Sequence, residues 1–264
     1  MKYSFMTFST TGLSLEENLQ AAKRYGYDGI EPRLDAKHAH GIEVSSTPAQ
    51  RRAVRKQASK AGIAIACLAT SIKYADAASA AEMVRQTHER IDLAGDVGCP
   101  TLRVFGGQLP QGVTREQAVA LLVESLSSVA DHAGERGVTL CLETHDDWSD
   151  PEYVAEVLRK VNRPNVAVNW DFLHPVRSAQ VSVEASFRTL QFRIGHVHAH
   201  DWDPKTGKIC AIGDGVVDHR RAIQLLASIG YKGFISGEWI DYEPWEVHLP
   251  RELATMKRYE AEGK

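Results

Sequence analysis

Eight short runs rich in β-branched and aromatic residues recur along the chain, each followed by a longer segment whose apolar residues fall three and four apart. The runs are YSFMTF, YDGIEP, IAIACLA, TLRVFG, VTLCLET, NVAVNWD, IGHVHAH and GFISGEW. The helical segments cover residues 15–25, 48–61, 80–97, 115–136, 151–161, 183–192, 219–229 and 245–259. Parallel strands need such crossovers, and eight strand-helix units can close a sheet on itself. The expectation is therefore an α/β fold, a single (β/α)8 barrel spanning residues 1–264, with an open doubly wound sheet as the rival. The 264 residues match the about 250 of such a barrel, and the pattern shows no composition break or linker.

The helix ends carry their own chemistry. Gly26, Gly62, Gly137 and Gly230 stand where a left-handed C-cap residue is wanted, and Thr47-Pro48 and Asp150-Pro151 pair a capping side chain with proline at the first helical position. Asp147 also reads as an N-cap. The longest irregular connection near the front, residues 35–47 with His38, His40 and Gly41, is a candidate lid.

Thirty-one Lys and Arg against 34 Asp and Glu leave no cationic excess for a phosphate backbone, which argues against nucleic acid as a partner. MKYSFMTFSTTG lacks the pattern of a secretory signal, and no run is long and apolar enough for a membrane span, so a cytoplasmic protein without a membrane partner is expected. Cys67, Cys99, Cys141 and Cys210 are far apart and fit buried thiols better than a CxxC metal site or a disulfide framework.

A parallel barrel builds its active site at the C-terminal ends of its strands. In the second half of this chain those ends are ionisable. The fifth run ends in Glu143, Thr144, His145, Asp146 and Asp147, and the sixth in Asp171 before Phe172, Leu173 and His174. The seventh passes through His196, His198 and His200 to Asp201, and the eighth ends in Glu238 and Trp239. An acid from each of three strands and an imidazole from a fourth suit a divalent cation: Mn2+ first, with Mg2+, Co2+ or Zn2+ as alternatives. His196, His198 and His200 share one face of a strand, so they cannot all ligate one ion at the mouth. His198 reads best as ligand, His196 as a packed core histidine and His200 as a substrate contact.

With YDGIE, AGI, CLETH, NWDFLHP, IGHVHAHD, IGDGVVD and GYKGFISGEW in this order, the chain resembles the xylose isomerase-like TIM barrels over essentially its whole length. That superfamily comprises sugar and sugar phosphate isomerases and epimerases, cyclitol dehydratases and type-2 apurinic endonucleases. The resemblance implies a metal site of Glu143, Asp171, His198 and Glu238, with His174 on the substrate oxygens and Glu31 and Arg33 turned toward the pocket. It also implies a barrel that commonly pairs into homo-oligomers. The pattern of free-ketose 3-epimerases is not followed throughout: Ser149, Pro204 and Asp201 stand where those enzymes carry an acid, an arginine and a glutamate.

The expected activity is a divalent-metal-dependent sugar or sugar phosphate isomerase or epimerase, carbohydrate being the small-molecule partner. Glu143 and Glu238 serve as catalytic proton carriers around a metal-held enediolate. His174, His145, Arg33, Glu31, Asp201, His200 and Trp239 are the expected substrate contacts, with Trp202 a further stacking wall. A lyase that dehydrates a keto-sugar or keto-cyclitol with the same site is the alternative, His145, Asp201 or His200 then acting as the acid. A non-catalytic sugar-binding barrel and an apurinic endonuclease stand behind these. Gly213-Asp214-Gly215 reads as a tight turn rather than a phosphate cradle, because Asp214 and Asp218 repel an anion.

Overall fold

The structure is a computed structural model and describes residues 1–263. Its strands are β1 (Lys2–Met6), β2 (Gly29–Glu31), β3 (Ala64–Ile65), β4 (Leu68–Lys73), β5 (Thr101–Phe105), β6 (Thr139–Glu143), β7 (Val166–Asp171) and β8 (Ile194–Ala199), then the hairpin strands β9 (Asp201–Asp203) and β10 (Lys208–Cys210), and finally β11 (Phe234–Gly237). All but the hairpin form one parallel sheet in the order β3-β2-β1-β11-β8-β7-β6-β5-β4. Because β3 and β4 are two parts of one strand position, interrupted only at Ala66 and Cys67, the sheet closes on itself. The Ala66 amide donates to the Ile30 carbonyl at 2.8 Å, the Leu34 amide to the Ala69 carbonyl at 2.9 Å, and Arg33 bridges Ala69 in parallel. The result is an eight-position TIM barrel.

Among the described residues nine α-helices surround it: α1 (Leu15–Tyr25), α2 (Pro48–Ala61), α3 (Ala80–Val97), α4 (Arg115–Glu135), α5 (Pro151–Val161), α6 (Leu173–Ser178), α7 (Val183–Leu190), α8 (His219–Ser228) and α9 (Trp245–Glu262). The caps explain why the boundaries agree so closely with the sequence pattern. Thr47 and Gln50 form a capping box at the start of α2, and Gly62 ends it at φ +72°. Asp150 caps α5 by accepting from the Glu152 amide. Asp147 does not cap a helix: its carboxylate accepts the Leu109 amide at 2.7 Å and ties two loops together at the barrel mouth.

Every residue of β7 is buried, as expected of a strand covered on both faces, by the barrel interior and by the helices. The connection over residues 35–47 is fastened to its surroundings. Asp35 pairs with Arg90 at 2.7 Å, Thr7 Oγ1 lies 3.1 Å from His38 Nδ1, and Arg51 donates to the Val44 carbonyl at 2.7 Å. Cys67, Cys99 and Cys141 are buried and Cys210 is half-buried. Among the described residues no helix is long and apolar enough to cross a membrane.

Candidate active site

Strand register gathers the ionisable strand ends. Glu143 lies beside Asn169, Asp171 beside His198, and His198 beside Ser236, two residues before Glu238. Side chains two apart on a strand share a face, so Glu143, Asp171, His198 and Glu238 meet inside the C-terminal mouth. Each offers a ligand atom, and these atoms all lie within 4.8 Å of one another.

His198 is the hub. Its Nδ1 is 2.8 Å from Glu143 Oε1 and 2.9 Å from Glu238 Oε2, and its Nε2 is 3.0 Å from Glu31 Oε1. Burial opposes charge on this imidazole, but the carboxylates of Glu31, Glu143 and Glu238 outweigh it and hold its pKa well above the ordinary range. Reciprocally, burial pushes the Glu238 carboxyl up while the His198 charge holds it well below the usual range.

Glu31 differs from its expected place. It is fully buried beneath the mouth and takes His196 Nε2 on one oxygen at 2.8 Å and His198 Nε2 on the other. A carboxylate in the barrel interior needs such donors, and the two histidines supply them. Burial pushes Glu31 up, and His198 and His196 bring it well below the carboxylate range. His196 is thus a hydrogen-bonded interior residue.

Asp201 also departs from expectation. As the residue after His200 it points to the other side of the strand, and its carboxylate accepts the amides of Trp202, Gly213, Gly215 and Val217 at 2.9–3.1 Å. The amides of the Gly213-Asp214-Gly215 turn are therefore consumed by an internal anion. Trp239, next to Glu238, is likewise turned away: it is fully buried and packs on His248 at 5.1 Å between ring centroids. Neither residue lines the pocket. Arg33 reaches sideways, donating to Ser71 Oγ at 2.6 Å and to the Ala69 carbonyl at 3.2 Å. Burial, and then the charge of Arg103, bring its pKa down to about 10.

A cavity of about 700 Å3 opens above the cluster, with Glu238, His145, His174, His200, Trp202 and Arg177 in its lining. His145 and His174 stand with ring centroids 4.1 Å apart. Burial lowers the His174 pKa, whereas at His145 burial is outweighed by the Asp146 carboxylate, 3.1 Å from Nδ1, and the pKa rises. His200 Nε2 is 2.9 Å from Asp171 Oδ2, and Asp171 Oδ1 accepts the amides of Leu173 and His174. Asp171 therefore orients the cavity wall. Burial raises its pKa, and the charges of His200 and His174 hold it far below the ordinary range.

One residue of the site was overlooked in the sequence. Arg103, in the middle of β5, is 2% exposed, with Nε 3.1 Å from Glu143 Oε2, Nη1 donating to the Thr70 carbonyl at 2.9 Å and its guanidinium 3.9 Å from the centroid of the Phe105 ring. The available signal was an arginine inside the apolar run TLRVF, where only a buried partner makes the charge tolerable.

The donors themselves suit a cation. His198 Nδ1 has room for one hydrogen, yet two carboxylate oxygens approach it within 2.9 Å, and Glu143 Oε2 accepts no hydrogen bond from any described residue. With Nε2–H donated to Glu31, exchange of the Nδ1 proton for a cation would leave the Nδ1 lone pair aimed at the same point as the carboxylates. Three carboxylates and one imidazole converging in this way form a cluster able to hold a divalent metal ion.

Residues 19–259 match the model of the family described as xylose isomerase-like TIM barrel. The chain belongs to this family. Among its family relatives is the 2-oxo-tetronate isomerase of Haemophilus influenzae, 24% identical over 164 residues, which are 58% of this chain and 62% of that protein. Another is the L-ribulose-5-phosphate 3-epimerase UlaE of Salmonella schwarzengrund, 25% identical over 230 residues, 82% of this chain and 79% of the relative. The match thus spans less than two thirds of the first of these relatives. Among solved structures of the same barrel, the IOLI protein with a binding zinc atom superposes with a TM-score of 0.81 at 19% identity, over 100% of this chain and 98% of that one.

Proposed function

We propose that the protein is a divalent-cation-dependent isomerase or epimerase of sugars or sugar phosphates, working by proton transfer next to a carbonyl. The observation carrying this reading is the convergence of Glu143, Asp171, His198 and Glu238 beneath an open cavity. These four would hold the cation, and a cation bound there supplies positive charge beside the substrate oxygens as negative charge develops on them. Family relatives named as isomerase and epimerase support the same chemistry.

Among the chain's own groups, we assign Glu238 to take the proton, because its carboxylate lines the cavity and is kept ionised by His198. For transfer to the neighbouring carbon Glu238 gives back the proton it took; for inversion Glu143, deeper and against Arg103, delivers to the opposite face a proton it has first taken up from solvent, and Glu238 releases its own to solvent. His145, His174 and His200 offer ring nitrogens to hydroxyls and fix which carbon faces Glu238. Glu31 keeps Nε2 of His198 protonated and so keeps Nδ1 free for the cation.

The deciding experiment incubates metal-free and Mn2+-reloaded protein with ketoses, ketose phosphates and keto-cyclitols in D2O and follows the carbon-bound protons by NMR. Mn2+-dependent deuterium incorporation with conversion to an isomer is expected. Loss of water into an unsaturated product moves the protein to the lyases, with His145 as the acid over the leaving group. Exchange that is equal with and without Mn2+ removes the cation from the mechanism, and silence across the panel leaves a binding barrel or a substrate outside the panel.

Glu31→Gln tests the support of His198 separately. The amide is neutral and cannot serve both imidazoles as a double acceptor. Mn2+ affinity, read by calorimetry, is expected to fall by about 10- to 100-fold with circular dichroism unchanged. Wild-type affinity in this variant removes Glu31 from the site.

A further inference from the structure

We propose that Arg177 and Lys208 form an anion-recognition end to the cavity, so that the substrate of the reaction proposed above, on which this inference rests, is a ketose carrying a phosphate or a carboxylate. Both side chains line the same cavity as Glu238 and His200. Exposure orders them: His200 is 7% exposed and Glu238 12%, whereas Arg177 and Lys208 are exposed, so the cluster is the deep end and the two cations stand at the mouth.

Each cation is left for an outside partner. Arg177 sits on α6, directly after the turn that carries His174, and its guanidinium lies 4.3 Å from the centroid of the Trp202 ring. Stacking desolvates one face and holds the planar fork with its edge donors available. No carboxylate of the described residues approaches Arg177 within 4.0 Å, in contrast to Arg51, Arg90 and Arg103. Lys208 opens β10 opposite Asp203 in the hairpin register, where a cross-strand ion pair would be expected. That carboxylate is already committed, Oδ1 to the Lys205 amide and Oδ2 to Thr206 Oγ1, both at 2.9 Å. The Asp203 side chain thus builds the turn, and no carboxylate of the described residues pairs with the Lys208 ammonium.

The balance of charge points the same way. Apart from Glu238 at the cluster, Asp241 is the one acid in the lining, against Arg177 and Lys208. A guanidinium fork and an ammonium on one rim suit an anion with several oxygens, and both phosphate and carboxylate meet that description. An anion seated there would hold the far end of the substrate while the carbonyl end meets Glu238 and His174.

The test uses three small ketones that share a hydroxyacetyl end and differ only at the other: dihydroxyacetone, dihydroxyacetone phosphate and hydroxypyruvate. Their binding is measured by calorimetry on the full chain, with and without Mn2+, for the wild type and for R177A/K208A. One or both anions are expected to bind the wild type about 10- to 100-fold more tightly than dihydroxyacetone, as charge-assisted hydrogen bonds at this site would require. The preference is expected to vanish in the double variant while dihydroxyacetone affinity stays the same. Tighter binding of the phosphate or of the carboxylate identifies the natural group. Equal binding of all three ketones, absence of anion binding, or a preference that survives in R177A/K208A overturns the proposal, the last because the anion is then read by the cluster. Because binding is read without turnover, failure of the isomerase reading leaves this result standing, and failure here leaves deuterium exchange on neutral ketoses untouched.

Discussion

Glu238→Gln is expected to lower turnover by about three orders of magnitude or more, with an unfolding midpoint close to that of the wild type. The amide is nearly isosteric and still fits between His198 and the cavity, but it cannot carry a proton and is a poorer partner for a cation. Loss of a positioned general base alone accounts for about 10²- to 10⁴-fold. Stability changes little because Glu238 lies at the edge of the buried cluster, 12% exposed, and His198 keeps Glu143 and Glu31 as partners. The measurement is kcat on whichever ketose shows deuterium exchange, beside a urea unfolding curve. A variant within tenfold of wild-type kcat would sink the assignment of Glu238 as base. Glu143→Gln should show a similar loss of turnover but be less stable, since it strips the charge partner from Arg103.

The difference between these two glutamates shows what the sequence made legible and what it did not. Glu143 ends β6 and Glu238 directly follows β11, and the sequence marks strand ends well, because periodicity switches there and caps follow: α2 begins and ends where Thr47 and Gly62 require, α5 begins at Asp150 and α1 ends at Gly26. Depth below the mouth is not written in that pattern. Glu31 ends β2 as Glu143 ends β6, yet β2 has only three residues and its last side chain lies beneath the mouth, beside His196 and His198. Asp201 and Trp239 were separable in principle, since each directly follows a residue that faces the site and alternation turns it away. Arg103 lies in the middle of β5, where no switch of periodicity marks it, and only its charge inside an apolar run sets it apart. The hairpin of β9 and β10 and the short α6, which bring Trp202, Lys208 and Arg177 to the cavity, carry no strong periodic signal because both are too short to show one.

Arg103→Ala is expected to destabilise the protein by about 3–5 kcal/mol, the cost of leaving one member of a buried ion pair without its partner. The side chain is 2% exposed, spans from Glu143 to the Thr70 carbonyl, and covers the Phe105 ring. Removing it leaves the Glu143 carboxylate facing His198 alone, and opens a void at the point where Thr70 already interrupts the ladder by donating its hydroxyl to the Arg103 carbonyl and accepting the Ile72 amide. A double-mutant cycle separates charge from packing. Arg103→Met keeps much of the volume and removes the charge, so by itself it should cost nearly as much as alanine. Combined with Glu143→Gln it removes both charges and should recover a large part of the loss, because two neutral groups incur no penalty for an unpaired ion. Urea unfolding of the four proteins, in chelator to exclude any bound cation, measures the coupling. If Arg103→Met and Glu143→Gln add independently, Arg103 fills space and does not neutralise Glu143. Strong coupling makes Arg103 the group that lets an ionised glutamate exist at the floor of the site, and the same variant should then lose turnover even where it remains folded.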